Sequence, residues 1–341
     1  MVRTGANSFL QWDFDNPASA FGTPYSSPSY KKFGLQQKIT SFTVNNTKKT
    51  LSELASVKPT DYAYGKQNGS ISVDFVLSSP WVLGLLFGAP ASVSSTGSAA
   101  ATHTYTTTAN DSTVRTATLQ MGFQGQTANL TRTLSGCALN SLSITAAVDD
   151  MVNASADFSY AKEQQPTATF SASSATDLMN FPYTFAHGLF KWKGNTGDSL
   201  TTQTEIQNMD ITFTQNSELL FGMNSHFAVD AYRQLFDITG KFQVSLKDRS
   251  FIVNIMEQIK ADSGTTNDTR SHAQLELFFT NKGTGNGLKT IKITCDGIGI
   301  DSHSTTGLEP NEPVFEDISW QIKNATVVAQ TATTNAEPKG S

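Results

Sequence analysis

The sequence predicts a mainly β protein built from two tandem antiparallel β-sandwich or barrel units, each flanked by one short helix. Three observations lead there. Only 16% of the 341 residues are charged, and the bulk is Ser, Thr, Asn, Gln, Ala and Gly, which suits strands with polar faces better than a helical bundle. Apolar and polar residues alternate with period two, as in Ser141-Leu142-Ser143-Ile144-Thr145, which is what a half-buried antiparallel strand requires. Finally, one order of elements occurs twice, and the length allows two domains with separate cores.

The repeat is clearest between Glu205 and Lys260. The strand-like run Ile206–Thr214 leads into a long excursion, Gln215 to Asp237, then a second alternating run, Gly240–Leu246, then an amphipathic helix, Ser250 to Lys260. Earlier in the chain the same order reads Leu35–Val44, an irregular excursion Asn45–Asn68, Gly69–Leu77 and a helix Pro80–Phe87. Asn46 and Asn216 are 170 positions apart, while Gly69 and Gly240, like Val73 and Val244, are 171 apart. The two cysteines, Cys137 and Cys295, fall in β-like runs after each helix. Identity is low, so what repeats is pattern and element order. The alternative is two unrelated sandwiches of similar strand rhythm.

Taken in order, residues 1–30 form an N-terminal arm. Pro and Gly punctuation breaks it up, and Phe9, Trp12, Phe14 and Phe21 predict that it lies along a surface, its own or a neighbour's. The first unit spans 31–165. Its excursion is too long for a turn, and its counterpart carries Leu219, Leu220, Phe221, Met223, Phe227, Val229, Tyr232, Leu235 and Phe236, more large apolar groups than disorder tolerates. Those groups require burial, on the same chain or on another subunit. Ser79 as N-cap and Pro80 at the first turn open the first helix. Trp81, Val82, Leu85 and Leu86 give it an apolar stripe, and Gly88 and Pro90 end it. Ile252, Val253, Ile255, Met256 and Ile259 form the second stripe. Trp81, Leu85, Leu86, Ile252, Ile255 and Met256 are the residues expected to pack these helices on their sheets. Residues 91–116 are low in complexity and read as a mobile surface loop. A connecting segment, 166–203, is too apolar for a flexible linker and is expected to add a strand or pack along a domain. The second unit covers 204–330, and 331–341 is a polar tail.

Catalytic and metal-binding signals are weak. The five histidines are scattered, with no His-x-x-x-His and no Cys–His cluster for zinc. Gly283-Thr284-Gly285-Asn286-Gly287 lies between strands and reads as a hairpin turn instead of a nucleotide loop. Asp149, Asp150, Glu309, Glu312, Glu316 and Asp317 lack the ligand alternation of a calcium loop and read as solvated loop acids. No cofactor, metal or catalytic residue is expected. The formal charge of −5 gives no basic footprint for gripping nucleic acid. No run of ~18 apolar residues predicts a membrane span, and the first residues lack an apolar signal core. One cysteine per half, with no Cys-x-x-Cys, predicts buried thiols in a reducing cytoplasm; a disulfide joining the halves is the alternative.

The element order, together with the run from Gly136 to Asp150 (Gly-Cys-Ala-Leu-Asn-Ser-Leu-Ser-Ile-Thr-Ala-Ala-Val-Asp-Asp), resembles the tail tube, or major tail, proteins of tailed bacterial and archaeal viruses. Tyr183–Leu189 is similar to that family's joining segment, and the resemblance covers most of residues 20–330. It implies tail-tube-type units that assemble as stacked rings around a DNA channel. A chain with two fused units then implies a trimeric, pseudo-hexameric ring. It also implies a virion tail location after synthesis in the host cytoplasm. Implied partners are other copies of the chain, tape-measure and tail-terminator proteins, and double-stranded DNA in non-specific passage, without membrane insertion. Rings close when rotation brings heterologous contacts round, and contacts that do not close give filaments. The excursions are the expected ring-to-ring contacts, carried by Leu51, Leu54, Tyr62, Tyr64, Leu219, Leu220, Phe221, Met223, Phe227 and Tyr232. If each buried ~500 Å² of apolar surface, the gross contribution would be ~12 kcal/mol before association costs. Each Lys or Arg contact to passing phosphates would have to be broken, so a conduit should present acids and neutral polar groups. The competing reading is a carbohydrate-binding or adhesin-type tandem β-sandwich.

Overall fold

The computed structural model describes residues 8–26, 28–53, 58–88, 92–95, 101–107, 114–123, 129–164, 182–194, 199–245, 273–281, 289–307 and 313–331. In chain order the strands are β1 (Ser8–Phe14), β2 (Gly34–Leu51), β3 (Asp61–Leu77), β4 (Ser92–Ser95), β5 (Ala101–Thr106), β6 (Thr116–Phe123), β7 (Leu130–Ala147), β8 (Asn153–Tyr160) and β9 (Lys162–Glu163). They continue with β10 (Gly188–Lys193), β11 (Thr201–Gln203), β12 (Ile206–Thr214), β13 (Ser217–Phe221), β14 (Ala228–Arg233), β15 (Asp237–Ser245), β16 (Ala273–Thr280), β17 (Thr290–Thr306) and β18 (Phe315–Thr331). Among the described residues there is one α-helix, α1 (Leu83–Phe87), between β3 and β4. Sixteen strands join in one antiparallel sheet, and β13 and β14 pair separately.

Two pairing paths run through that sheet. The first is β2-β3-β8-β7-β6-β1. The second is β12-β15-β18-β17-β16-β10. They meet where Ser141–Ala147 of β7 pairs with Asn208–Thr214 of β12.

The sheet folds over itself into a sandwich because its longest strands bend. In β7, Gly136 has φ +64°, and an irregularity follows between Leu139 and Ser141. In β17, Gly297 has φ +71°, and an irregularity follows between Ile300 and Ser302. Glycine tolerates the left-handed backbone, and bulges sharpen strand curvature. Each strand thereby passes from one layer to the other.

Aromatic contacts show which strands face each other. Trp12 of β1 stacks on Phe33 at 5.5 Å, and Phe33 reaches Phe75 of β3 at 5.6 Å and Phe158 of β8 at 5.7 Å. In the second half, Phe190 and Trp192 of β10 lie 5.0 and 6.1 Å from Phe242 of β15. The connecting segment thus adds two strands, β10 and β11, to the sheet. Most buried hydrophobic residues, from β1 to β18, form one continuous cluster.

Several sequence expectations need correction. The stretches 45–53 and 58–68 are not an irregular excursion: β2 and β3 continue past the sheet as an antiparallel pair, from Asn45↔Asn68 out to Leu51↔Asp61, with one irregularity between Asn46 and Lys48. The N-terminal arm contributes β1, whose Leu10, Trp12 and Phe14 are core residues. Part of the low-complexity stretch 91–116 is strand: β5 pairs with the end of β18, and Tyr105 and His103 are buried. A Ser/Thr-rich sequence has few apolar anchors, but backbone pairing does not need them. Glu316 and Asp317 are not loop acids. They lie on β18, where Glu316 is 4% exposed and its Oε2 is 2.5 Å from His303 Nε2.

The first helix is shorter than Pro80–Phe87. Hydrogen bonds from Leu83 N to Pro80 O and from Gly84 N to Trp81 O, both 3.0 Å, make a turn before α1. Ser79 Oγ accepts from Trp81 N at a long 3.5 Å. Trp81, Leu85 and Leu86 are buried. Phe87 meets Phe213 and Phe236 edge-on, both at 5.7 Å, so the helix plugs the sandwich where the two halves meet. The second helix with Ile252, Ile255 and Met256, the turn at Gly283–Gly287, Leu54 and the tail beyond Thr331 lie outside the described residues.

At the bend of β7, Asp15 is 7% exposed. It accepts hydrogen bonds from Thr118 Oγ1 at 2.5 Å and Gly136 N at 3.1 Å. Burial pushes its carboxyl above the ordinary range against the opposing pull of those bonds. Burial and the nearby Asp13 and Asp15 carboxyls push the Tyr30 phenol up to about 12. Cys137 and Cys295 are free and buried, and burial raises both thiols.

Candidate assembly surfaces

Three surfaces stand out: a polar sheet face, two open strand edges, and two hairpin arms.

The polar face follows from alternation. In β3, Ile71, Val73 and Phe75 point into the core, so Ser70, Ser72 and Asp74 point the other way. The same phase places Ser155 and Asp157 of β8, Ser141, Ser143 and Thr145 of β7, Asp210 and Thr212 of β12, Lys241 and Gln243 of β15, and Asp317 of β18 on that side. Hydrogen bonds run across it from strand to strand. Ser41 Oγ donates to Ser72 Oγ at 2.9 Å, Ser155 Oγ to Asp74 at 2.7 Å, and Ser141 Oγ to Asp157 at 2.8 Å. Thr145 Oγ1 donates to Asp210 at 3.1 Å, and Gln243 Nε2 to Asp317 at 3.0 Å. Hydroxyls and the Gln243 amide thus satisfy the carboxylates, and the cations Lys38, opposite Asp74, and Lys241, opposite Asp210, are in register with acids.

This face spans eight consecutive strands, β2-β3-β8-β7-β12-β15-β18-β17. Its two ends are open. Among the described residues β2 pairs with β3 alone. In β17, β16 pairs only as far as Ile298, so Gly299–Thr306 has β18 on one side and, among the described residues, no partner on the other. Open edges are pairing templates.

The arms differ in exposure. The β13–β14 hairpin folds back over the first half, burying Leu219, Ala228 and Ala231 against Ala138 and Ala161, with Phe221 packed on them. It is tied down by Gln215 N to Asn140 O at 2.7 Å, Ser217 Oγ to Leu139 O at 3.2 Å and Arg233 Nη2 to Leu86 O at 2.5 Å. Leu220, Met223, Val229 and Leu235 face outward, Met223 fully exposed. Among the described residues, the outer β2–β3 hairpin has no such cover. Its Leu51, Tyr62 and Tyr64 are 49%, 45% and 58% exposed. Its root touches the other arm, with Gln67 N donating to His226 O at 2.7 Å.

The residues expected to stack rings therefore divide. Leu51, Tyr62, Tyr64, Leu220 and Met223 are on free surface, Leu219 is spent inside the chain, and Phe221, Phe227 and Tyr232 are half-buried. Tyr232 is further engaged by its hydroxyl bond to Glu218 at 2.6 Å. Sequence reasoning expected polar strand faces but assigned neither the residues of this face nor the open edges. Alternation marked the first, but strand order, which has no local signal, decides the second. Among the described residues no group of three or more His, Cys, Asp or Glu side chains is placed to hold a metal ion.

A search of curated proteins returns no match to the chain. A family model described as phage tail tube protein matches residues 5–322. That match and the antiparallel β-sandwich agree with the resemblance drawn from the repeat and the Gly136–Asp150 run: the chain belongs to the phage tail tube family, whose members are structural components of the virion tail and self-assemble into a tube.

Proposed function

We propose that this protein arose by tandem duplication and that three copies close a pseudo-hexameric ring, rings stacking into a tube that conducts viral DNA. The observation that carries this reading is the pair of matching paths, in which β2, β3, β8, β7, β6 and β1 correspond to β12, β15, β18, β17, β16 and β10. The units are 31–165 and 204–330, completed by one strand each from the arm 1–30 and the connecting segment 166–203.

Rotation through successive equivalent units leaves no free edge once the ring closes, which removes the hazard of two open edges per chain. Eight strands from each of three copies, at ~4.8 Å spacing and ~40° tilt, close a cylinder roughly 50 Å across between backbones. Its inner wall is the Ser/Thr/Asp face. Sparse cations, two of them (Lys38 and Lys241) opposite a carboxylate, offer passing phosphates little to bind, so transit meets few contacts that must be broken. The outward side chains Leu220 and Met223 stack ring on ring. A tape-measure protein occupies the channel during assembly and a terminator protein caps its end.

Negative-stain electron microscopy of the concentrated purified protein tests the proposal. Rings or tubes with threefold or apparent sixfold symmetry are expected. A protein that stays monomeric at high concentration overturns the reading.

A further inference from the structure

The junction inside the chain specifies the junction between chains. In each half a glycine lies opposite an aromatic residue: Gly69 pairs with Tyr160, and Gly240 with Trp320. This fixes residue-level equivalence without sequence identity. Val44 and Ile211 are equivalent, since they pair with Gly69 and Gly240. Asp157 and Asp317 are equivalent, lying opposite Ser72 and Gln243, each three residues beyond its glycine. Ser141 and Ser304, which pair with those aspartates, are equivalent in turn.

Within the chain, the second unit's β12 lies along Ser141–Ala147 of β7, pairing Ser141↔Thr214, Leu142↔Phe213 and Ser143↔Thr212. The counterpart of β12 is β2, whose outer edge is open. The counterpart of Ser141–Ala147 begins at Ser304 of β17, within the unpartnered stretch Gly299–Thr306. Resting on the ring reading above, we propose that β2 of one copy pairs antiparallel with the open edge of β17 in the next copy, in the register Ser304↔Thr47, Thr305↔Asn46 and Thr306↔Asn45. The occupant of both open edges is thus a second copy of this chain. The exposed β2–β3 hairpin then extends onto the neighbour's second unit, as β13–β14 extends over the first unit of its own chain, which covers Leu51, Tyr62 and Tyr64.

The Thr306/Asn45 pair corresponds to Ser143/Thr212, whose hydroxyls are 3.2 Å apart on the polar face. Side chains that close can be bridged. In the double variant Asn45→Cys/Thr306→Cys, mild oxidation of assembled protein should give covalent dimers and a closed trimer on denaturing gels. Neither single variant should cross-link, because Cys137 and Cys295 are buried. Shifted controls, Asn45→Cys with Ser302→Cys, should cross-link poorly. Microscopy of the same samples separates the outcomes. Rings without the Asn45–Thr306 cross-link overturn this register while leaving the ring intact, and protein forming neither rings nor cross-links overturns both. Thermal melting close to that of the parent establishes that the variants fold.

Discussion

Gly240 lies opposite Trp320 so closely that a Cβ there would come within 2.2 Å of indole Cζ2, and Gly69 stands in the same relation to Tyr160, with the phenol oxygen at 2.2 Å. Both rings are buried, and the Tyr160 hydroxyl donates to Thr43 O at 2.8 Å. At both places an aromatic side chain from one strand occupies the space a side chain would fill on the next. Neither ring can leave without opening the core. Gly69→Ala and Gly240→Ala should therefore each destabilise the fold by about 1–3 kcal/mol, the usual cost of overpacking. Denaturant titration measures it. A loss at one position with none at the other would contradict the structural equivalence of the two sites.

Ring-to-ring contact is testable apart from folding. Leu220 and Met223 are exposed on the outer side of β13–β14 and its turn, so charges there remove apolar surface without opening the core. Leu220→Asp/Met223→Asp should melt within a degree or two of the parent, since surface substitutions change stability little. It should also yield rings in place of tubes by microscopy. Tubes of normal length would remove these residues from the stacking contact.

Around the helix, substitution should act on stability alone. Leu85 is fully buried, and Leu85→Ala should cost about 2–5 kcal/mol through lost burial and the cavity left behind. Denaturant midpoints check it. A change under 1 kcal/mol would mean that α1 is not part of the cooperative core.

Asp15 predicts a pH dependence. Its carboxyl is raised above the ordinary value of 3.8 by burial, so the native state holds a proton that the unfolded chain releases. The resulting stabilisation is present below the ordinary value and lost as pH rises through the folded one. Asp15→Asn, which carries no ionisable proton, should flatten that part of the profile in thermal melts across the acidic range. Parallel profiles for the two proteins would show that Asp15 does not titrate as its burial implies.

The buried thiols predict chemical silence. Cys137 and Cys295 are both fully buried with raised thiols, and the thiolate is the reactive form. A thiol reagent should label neither in the native protein and both after denaturation. Fast labelling of native protein would indicate opening of β7 or β17.

How much was legible in the sequence follows from the range over which each signal acts. Alternation is local, so Ser141-Leu142-Ser143-Ile144-Thr145 and Gly69–Leu77 could be read as strands and their buried sides assigned. The offset between Gly69 and Gly240 is likewise visible in the chain, although the reason for those glycines, the rings of Tyr160 and Trp320, is not. Local pattern failed where long-range pairing decides. The stretches 45–53 and 58–64 have no alternation to mark them, because both of their faces are exposed, and only the pairing of β2 with β3 makes them strand. The apolar residues of the second excursion announced burial, but which of them faced inward, Leu219 and not Leu220, depended on where β13 came to rest.

The amino-acid sequence by itself determined that this is a mainly β protein whose strands carry polar faces, because period and composition are properties of neighbours along the chain. Tertiary structure alone decided that sixteen strands share one sheet, that its polar side is continuous, and that, among the described residues, β2 and β17 are left with open edges. Strand order is set by backbone hydrogen bonds between distant segments, and those bonds are blind to side-chain identity.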